Sequence, residues 1–213
     1  MPRELVPADV AEATAWVVGV AVDVDGACWD LVPFTGGWTP RRTLDHLVDV
    51  MLLYAGCVAT RAVGRIVAPR NGDASASPSE VVDALMSTSQ ILVRVLDGMA
   101  DDDRAFHPSG SADRTGWVGM ACTELLVHGY DIAVVTSAES SARRGPSGLA
   151  EAVVERVLPW APTDADAWAR LLWATGRAPL SGRAAAGADW WWHSAPRDEW
   201  DGLPRHRDAP PRW

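Results

Sequence analysis

The sequence predicts an all-α fold whose main body is a four-helix bundle. Four segments carry apolar residues at helical spacing, and polar or Gly- and Pro-rich connections separate them. The chain has 213 residues, of which 48% are hydrophobic and 22% charged, as is ordinary for a globular protein with a buried core. We expect the bundle in residues 1–139. Residues 140–213 should form a short C-terminal extension of two helices and a Trp- and Pro-rich tail.

The first two helices have different start signals. Apolar residues follow a helical repeat from about Pro7 into the low twenties, and Asp9 is the candidate N-cap. The following stretch, GACWDLVPFTGGW, contains the turn residues of a loop. The second helix should begin after Thr39, an N-cap residue with proline at the first helical position behind it. It should end near Ala68-Pro69.

The third and fourth helices follow further loops. Residues 69–78 are polar and predict a flexible loop, after which Ser79 can cap a helix over 79–99. Residues 104–116 predict another loop, and the fourth helix should span WVGMACTELLVHGYDIAVVTS. In the extension, LAEAVVERVLPW and ADAWARLLWATG predict two short helices, and the tail should be mostly irregular with one short strand. The loops of the bundle exceed the usual length, which indicates function near the helix ends.

Composition and charge exclude several classes of function. The net charge of -9 argues against a general nucleic-acid binder. The absence of lysine excludes lysine nucleophiles and Schiff bases. No run of about 18 apolar residues predicts a membrane span, and MPRELVPADV has no apolar signal core, so we expect a cytoplasmic protein. The widely spaced Cys28, Cys57 and Cys122 predict reduced, mostly buried thiols.

The segment ACTELLVHGYDIA places charged residues in an apolar helix. Glu124 and His128 are four residues apart and therefore lie on one face about one turn from each other, with Asp131 three residues further. A carboxylate in apolar surroundings is costly unless it is paired or metal-bound. An inward-facing Glu–His pair is half of a site for Zn²⁺ or a similar ion, and a plain helical ion pair is the simpler interpretation. The spacing leaves both open.

The other half of a metal site must come from another helix. His46, about two turns into the second helix, is the best candidate, although a satisfied, partly buried histidine is the plainer interpretation. Asp49 near His46, or Asp131 near His128, could orient an imidazole from outside the ligand set. For the remaining histidines we expect other roles. His107 should be a loop residue, His193 a packing residue and His206 a solvated residue.

Two elements resemble a known family. GGWTPRRTLDHLVDVM resembles the "W-T-x-R-x-x-x-x-H-L" element of the DinB-like superfamily, in particular the mycothiol-dependent maleylpyruvate isomerase N-terminal domain family. ACTELLVHGYDIA resembles its "E-x-x-x-H-x-x-D-x-A" element, and LLWATGRAPLSGR and DWWWHSAPRDEWDG are similar to a C-terminal segment of many members. The resemblance implies a DinB-like four-helix bundle in which His46, Glu124 and His128 hold a divalent metal, usually zinc. It also implies mycothiol as cosubstrate.

The resemblance implies a metal-dependent enzyme that activates a low-molecular-weight thiol. The thiol would be transferred to a small electrophilic substrate or would assist its isomerisation, in detoxification or secondary metabolism. Maleylpyruvate itself is doubtful as substrate, because the residues after Gly148 do not closely resemble the C-terminal domain of the characterised isomerase. The expected partners are small molecules, not nucleic acid or a membrane, and a homodimer is left open. One alternative is a binding protein without catalytic activity. The other is an interaction module in which His46, Glu124 and His128 are left over from an enzyme ancestor.

Overall fold

The computed structural model describes residues 3–24, 26–32, 37–67, 72–136 and 144–207. Within these residues the protein is mostly helical, as the all-α prediction requires, with a few very short strands. In chain order the helices are α1 (Ala8–Val22), α2 (Pro40–Ala59), α3 (Pro78–Asp97), α4 (Arg114–Thr136), α5 (Ser147–Val157) and α6 (Ala167–Ala174). The strands are β1 (Ala105–His107), β2 (Gly110–Ala112), β3 (Trp190–Trp191) and β4 (Arg205–His206).

The start of α1 differs from the prediction. Pro7 occupies the cap position and provides no side-chain hydrogen bond. Asp9, predicted as the N-cap, lies inside the first turn, where its carboxylate accepts hydrogen bonds from the Val6 amide at 2.8 Å and from Arg3 at 2.9 Å. A carboxylate in the first turn still stabilises the helix through its dipole and ties down the chain that precedes it.

The start of α2 is confirmed. Thr39 is the N-cap, its hydroxyl accepts from the Arg42 amide at 3.2 Å, and Pro40 takes the first helical position. The loop before it contains a single turn of 3-10 helix, Gly26–Cys28, and its residues 33–36 lie outside the described part of the chain.

The predicted end of α2 near Ala68-Pro69 is wrong. The helix ends at Ala59, because Arg61 adopts the left-handed conformation with φ 45°. The Ala62 amide then donates to the Cys57 carbonyl at 2.9 Å, which is the Schellman type of helix ending. The apolar residues beyond Ala59 continued the helical pattern, but the backbone turn overrides it.

Two more boundaries are corrected. Ser77, not Ser79, caps α3, and it forms a reciprocal capping box with Glu80 because Pro78 takes the first helical position. The predicted loop 104–116 contains the antiparallel hairpin β1–β2, and α4 begins within it at Arg114.

The extension follows the prediction more closely. Both short helices are present as α5 and α6. The tail has two short strands where one was expected, since β3 pairs with β4 in antiparallel register. A 3-10 turn, Arg197–Glu199, lies between them.

The helices pack so that the two predicted to carry the site are direct neighbours. α2 packs against α3 and α4, and α1 also packs against α3 and α4. α5 lies on α4, and α6 lies on α5. Buried apolar residues of all six helices belong to one core cluster, which extends to Trp190 and Trp192 in the tail. The extension therefore shares the core of the preceding helices.

Helix α4 is the central element of this core. Residues 116–127 are all buried, so the helix packs on every side over about three turns. It is long and apolar enough to cross a membrane, but 78% of its most apolar window is buried inside the protein. Its apolar composition is thus accounted for by packing.

Gly116 allows the tail to contact α4 directly. A Cβ atom at this position would collide with the main-chain carbonyl oxygen of Ser194 and would lie 2.9 Å from the Asp113 carboxylate. The Asp113 carboxylate also pairs with Arg156 of α5, which donates a further hydrogen bond to the His193 carbonyl at 3.2 Å. The beginning of α4, the end of α5 and the tail are therefore joined at one point.

We predict that Gly116→Ala destabilises the protein by about 1–3 kcal/mol, because backbone must move to admit the methyl group. Denaturant unfolding measures the change. Gly56→Ala is the matched control, since Gly56 lies within α2 and a Cβ there would meet nothing within 4 Å. That control should be neutral or stabilising by up to about 1 kcal/mol. Equal stability of both variants would contradict the proposed close contact.

Candidate metal centre

The structure brings His46, Glu124 and His128 together, although 78 residues separate the first two. His46 projects from α2, and Glu124 and His128 project from α4 at i, i+4 spacing. His46 is 3% exposed and Glu124 is 5% exposed, so both lie in the protein interior. One ligand atom from each of the three side chains lies within 4.8 Å of the others, and the cluster could hold a metal ion.

The two imidazoles face the same carboxylate oxygen. Nε2 of His46 is 3.3 Å from Oε2 of Glu124, and Nε2 of His128 is 3.2 Å from that oxygen. These separations are long for hydrogen bonds to a charged group. They match the edge of about 3.3 Å that a tetrahedron of Zn–N and Zn–O bonds requires. Two of the three donor separations therefore suit a small divalent ion, and the donor atoms of His46 and His128 lie within 4.8 Å of each other.

The protonation of His128 gives a second argument for a cation. Its Nδ1 lies 2.9 Å from the Asp131 carboxylate, which is an acceptor when ionised, so Nδ1 carries the proton. In a neutral imidazole Nε2 then bears a lone pair, and that lone pair faces Oε2 of Glu124. Two lone pairs at this distance repel, and either a proton on Nε2 or a bridging metal ion removes the conflict.

Without a metal ion, a proton on His128 provides the positive charge beside Glu124. Burial lowers the pKa of His128, but the hydrogen bonds to Asp131 and Glu124 outweigh it, and the pKa is raised above its ordinary value. Burial opposes ionisation of Glu124, yet its hydrogen bonds with the two imidazoles hold the pKa well below the usual range. Burial lowers the pKa of His46. The cluster thus offers one carboxylate and one imidazole that is neutral near pH 7.

Asp131 contacts the cluster through His128, and Arg177 holds the Asp131 carboxylate in place. The Arg177 guanidinium binds both carboxylate oxygens of Asp131, at 3.0 and 2.7 Å. Burial raises the pKa of Asp131, but Arg177 and His128 lower it more, and it stays ionised at neutral pH. Arg177 follows α6, so the extension orients the His128 ring through Asp131. No spacing pattern in the sequence predicts this contact.

Asp49, the other predicted orienting residue, interacts through its charge with Asp45. Its charge contributes to raising the pKa of Asp45, one turn earlier on α2, after the larger effect of burial. Its proposed role toward His46 stays a prediction.

Trp38 packs against both imidazoles and was missed as a site residue. Its ring stacks on His128 with centroids 5.7 Å apart and an interplanar angle of 18°. It also contacts His46 edge to face, with centroids at 4.8 Å. The residue immediately before the Thr39 cap therefore shields one side of the cluster from water. Its position in the quoted W-T element was the available signal.

The other histidines lie elsewhere. His107 accepts a hydrogen bond at Nδ1 from the Ser109 amide, is surrounded by Tyr54, Trp117 and Trp192, and has a pKa lowered by burial to about 4. His193 is buried and His206 is exposed, as predicted. Cys57 and Cys122 are buried, and burial raises the pKa of both thiols, which disfavours the thiolate.

Comparison with known proteins adds no relative. The chain matches no family model, no curated protein and no solved structure.

We predict that Arg177→Met weakens zinc binding about 10- to 100-fold, because Asp131 loses the group that holds it against His128. Competition with a chromophoric chelator measures the affinity. Arg183→Met is the matched control, since Arg183 makes a similar two-point pair with Asp164 in an exposed part of the same segment. A folded Arg177 variant with unchanged zinc affinity would show that Asp131 needs no support.

Proposed function

We propose that the protein is a DinB-like four-helix metalloenzyme that uses a low-molecular-weight thiol, with mycothiol as the leading candidate. The observation that carries the metal assignment is the convergence of two imidazole Nε2 atoms on one buried oxygen of Glu124. Packing of α2 against α3 and α4, and of α1 against the same two helices, supports the bundle arrangement. The choice of thiol rests on the resemblance of the two sequence elements.

The residues present fit a zinc site with three protein ligands. His46, Glu124 and His128 supply two nitrogens and one oxygen, a donor set that zinc accepts and that leaves a fourth position open. A divalent ion held by them would lower the pKa of a bound thiol and supply a thiolate nucleophile near neutral pH. Reaction with a small electrophile then gives either S-transfer or, with reversible addition, isomerisation of a double bond.

The surrounding side chains prepare this chemistry. Asp131 and Arg177 fix the ring of His128 with Nε2 toward the cluster. Trp38 covers both imidazoles and limits the access of water from its side. The ionised Glu124 contributes the negative charge that favours a cation over an empty site. We place this activity in the cytoplasm, on small-molecule substrates.

We expect untagged protein to contain about one divalent ion per chain by elemental analysis, because the described residues form one three-ligand cluster. His46→Ala and His128→Ala should lose the ion, because each removes one of three ligands. His206→Ala is the matched control, since His206 is exposed and contacts Asp189 instead. A well-folded wild type that stays metal-free after incubation with zinc would refute the metal assignment.

We further expect metal-loaded protein to consume mycothiol in the presence of a model epoxide or activated alkene faster than buffer does. The rate should fall to the background in His46→Ala and stay unchanged in His206→Ala. Thiol consumption and product mass measure the reaction. A metal-loaded protein that binds the thiol but shows only the background rate with all electrophiles would favour the non-catalytic binding protein.

A further inference from the structure

Two arginines lie in the first turn of α2, where positive charge is unfavourable. The helix dipole places partial positive charge at this end, so Arg41 and Arg42 oppose it. Arg41 is compensated locally. Its guanidinium lies 3.4 Å from the Asp45 carboxylate and donates to the main-chain carbonyls of Ala76 at 2.6 Å and Asp73 at 3.1 Å. Arg41 thus has a structural role, because it joins the start of α2 to the loop before α3.

Arg42 is compensated less, because it interacts with the Asp45 carboxylate through charge without a hydrogen bond. Its guanidinium makes no hydrogen bond and no ion pair with any residue in the described part of the chain, and its Nη1 is fully buried without an acceptor. The guanidinium also lies over the Trp38 ring, whose centroid is 5.0 Å from Cζ. A charged side chain that has a buried N–H group without an acceptor destabilises the folded state. This unpaired N–H group lies beside the candidate metal centre.

The position of Arg42 directs its charge toward the cluster. It precedes His46 by four residues on α2, so the two side chains lie on one helix face about a turn apart. Both contact Trp38, which in turn stacks on His128.

We propose that Arg42 binds a carboxylate of the small molecule that occupies the metal centre, which makes it a specificity-determining residue. The proposal rests on the proposed metal-dependent function. A guanidinium presents planar, paired N–H groups that match the two oxygens of a carboxylate. Within the described part of the chain these groups have no hydrogen-bond acceptor, the guanidinium lies over the Trp38 ring, and Nη1 is desolvated. The ligand would therefore supply the acceptor that no described residue provides.

The test compares two thiols with the same three-carbon chain, one of which ends in a carboxylate and the other in a hydroxyl group. Cobalt(II)-loaded protein is titrated with 3-mercaptopropionate and with 3-mercaptopropan-1-ol, and sulfur binding is followed through the thiolate-to-cobalt absorption band. We expect wild type to bind the carboxylate compound at least about tenfold more tightly, as for a hydrogen-bonded charge pair. Arg42→Gln should lose this preference and retain its affinity for 3-mercaptopropan-1-ol and for cobalt. Arg94→Gln, at the far end of α3, is the control and should behave as wild type.

Two failures are distinguishable. If both thiols give the absorption band with equal affinity, or if Arg42→Gln keeps the preference, the role of Arg42 is refuted and the metal function stands. If neither thiol gives the band in cobalt-loaded protein, or if cobalt does not bind, the proposed function fails, and the inference fails with it.

Discussion

The buried carboxylate of Glu124 is the constraint on which the rest of the site depends. An ionised group in the middle of a packed helix is tolerated only when its surroundings supply positive charge or donors. Here α2 supplies one imidazole and α4 supplies the other, so the contact between these helices is also the contact that stabilises the charge. The helix packing and the electrostatics of the site cannot be separated.

The need of each buried charge for a partner of opposite sign extends outward from Glu124 through a series of residues. His128 faces Glu124 with one nitrogen and Asp131 with the other, and Arg177 closes the series at Asp131. Each member restrains the next, because an ionised residue in a poorly solvated place is costly without its partner. The extension thus contributes to the site by an ion pair as well as by its share of the core.

Sequence reasoning identified the residues whose roles depend on local spacing. Glu124, His128 and Asp131 lie within two turns of one helix, so their shared face follows from helical geometry. His46 was selected by residue type and by resemblance, and the structure brings it to the cluster. Trp38 and Arg177 were not selected, because their contacts depend on how the α2 start and the segment after α6 fold over α4. Such long-range contacts leave no periodic signal.

The errors in element boundaries have a common cause. Ala59 ends α2 because Arg61 turns the backbone, and Ser77 rather than Ser79 caps α3 because the proline between them takes the first helical position. In both cases the backbone conformation of one residue determines where the helix begins or ends. The apolar pattern on either side is compatible with several boundaries. The helices themselves, which depend on many residues, were predicted correctly within the described ranges.

The all-round burial of α4 has a kinetic consequence for the two halves of the site. Amides at the centre of α4 can exchange with solvent only when several neighbouring elements separate, whereas α2 has solvent-exposed positions such as Leu52, and the described residues of the connections on either side of it are mostly exposed. We infer that the backbone around Glu124 and His128 opens more slowly than the backbone around His46. Release of the proposed metal ion to solvent would then proceed by movement of α2, while Glu124 and His128 stay in position.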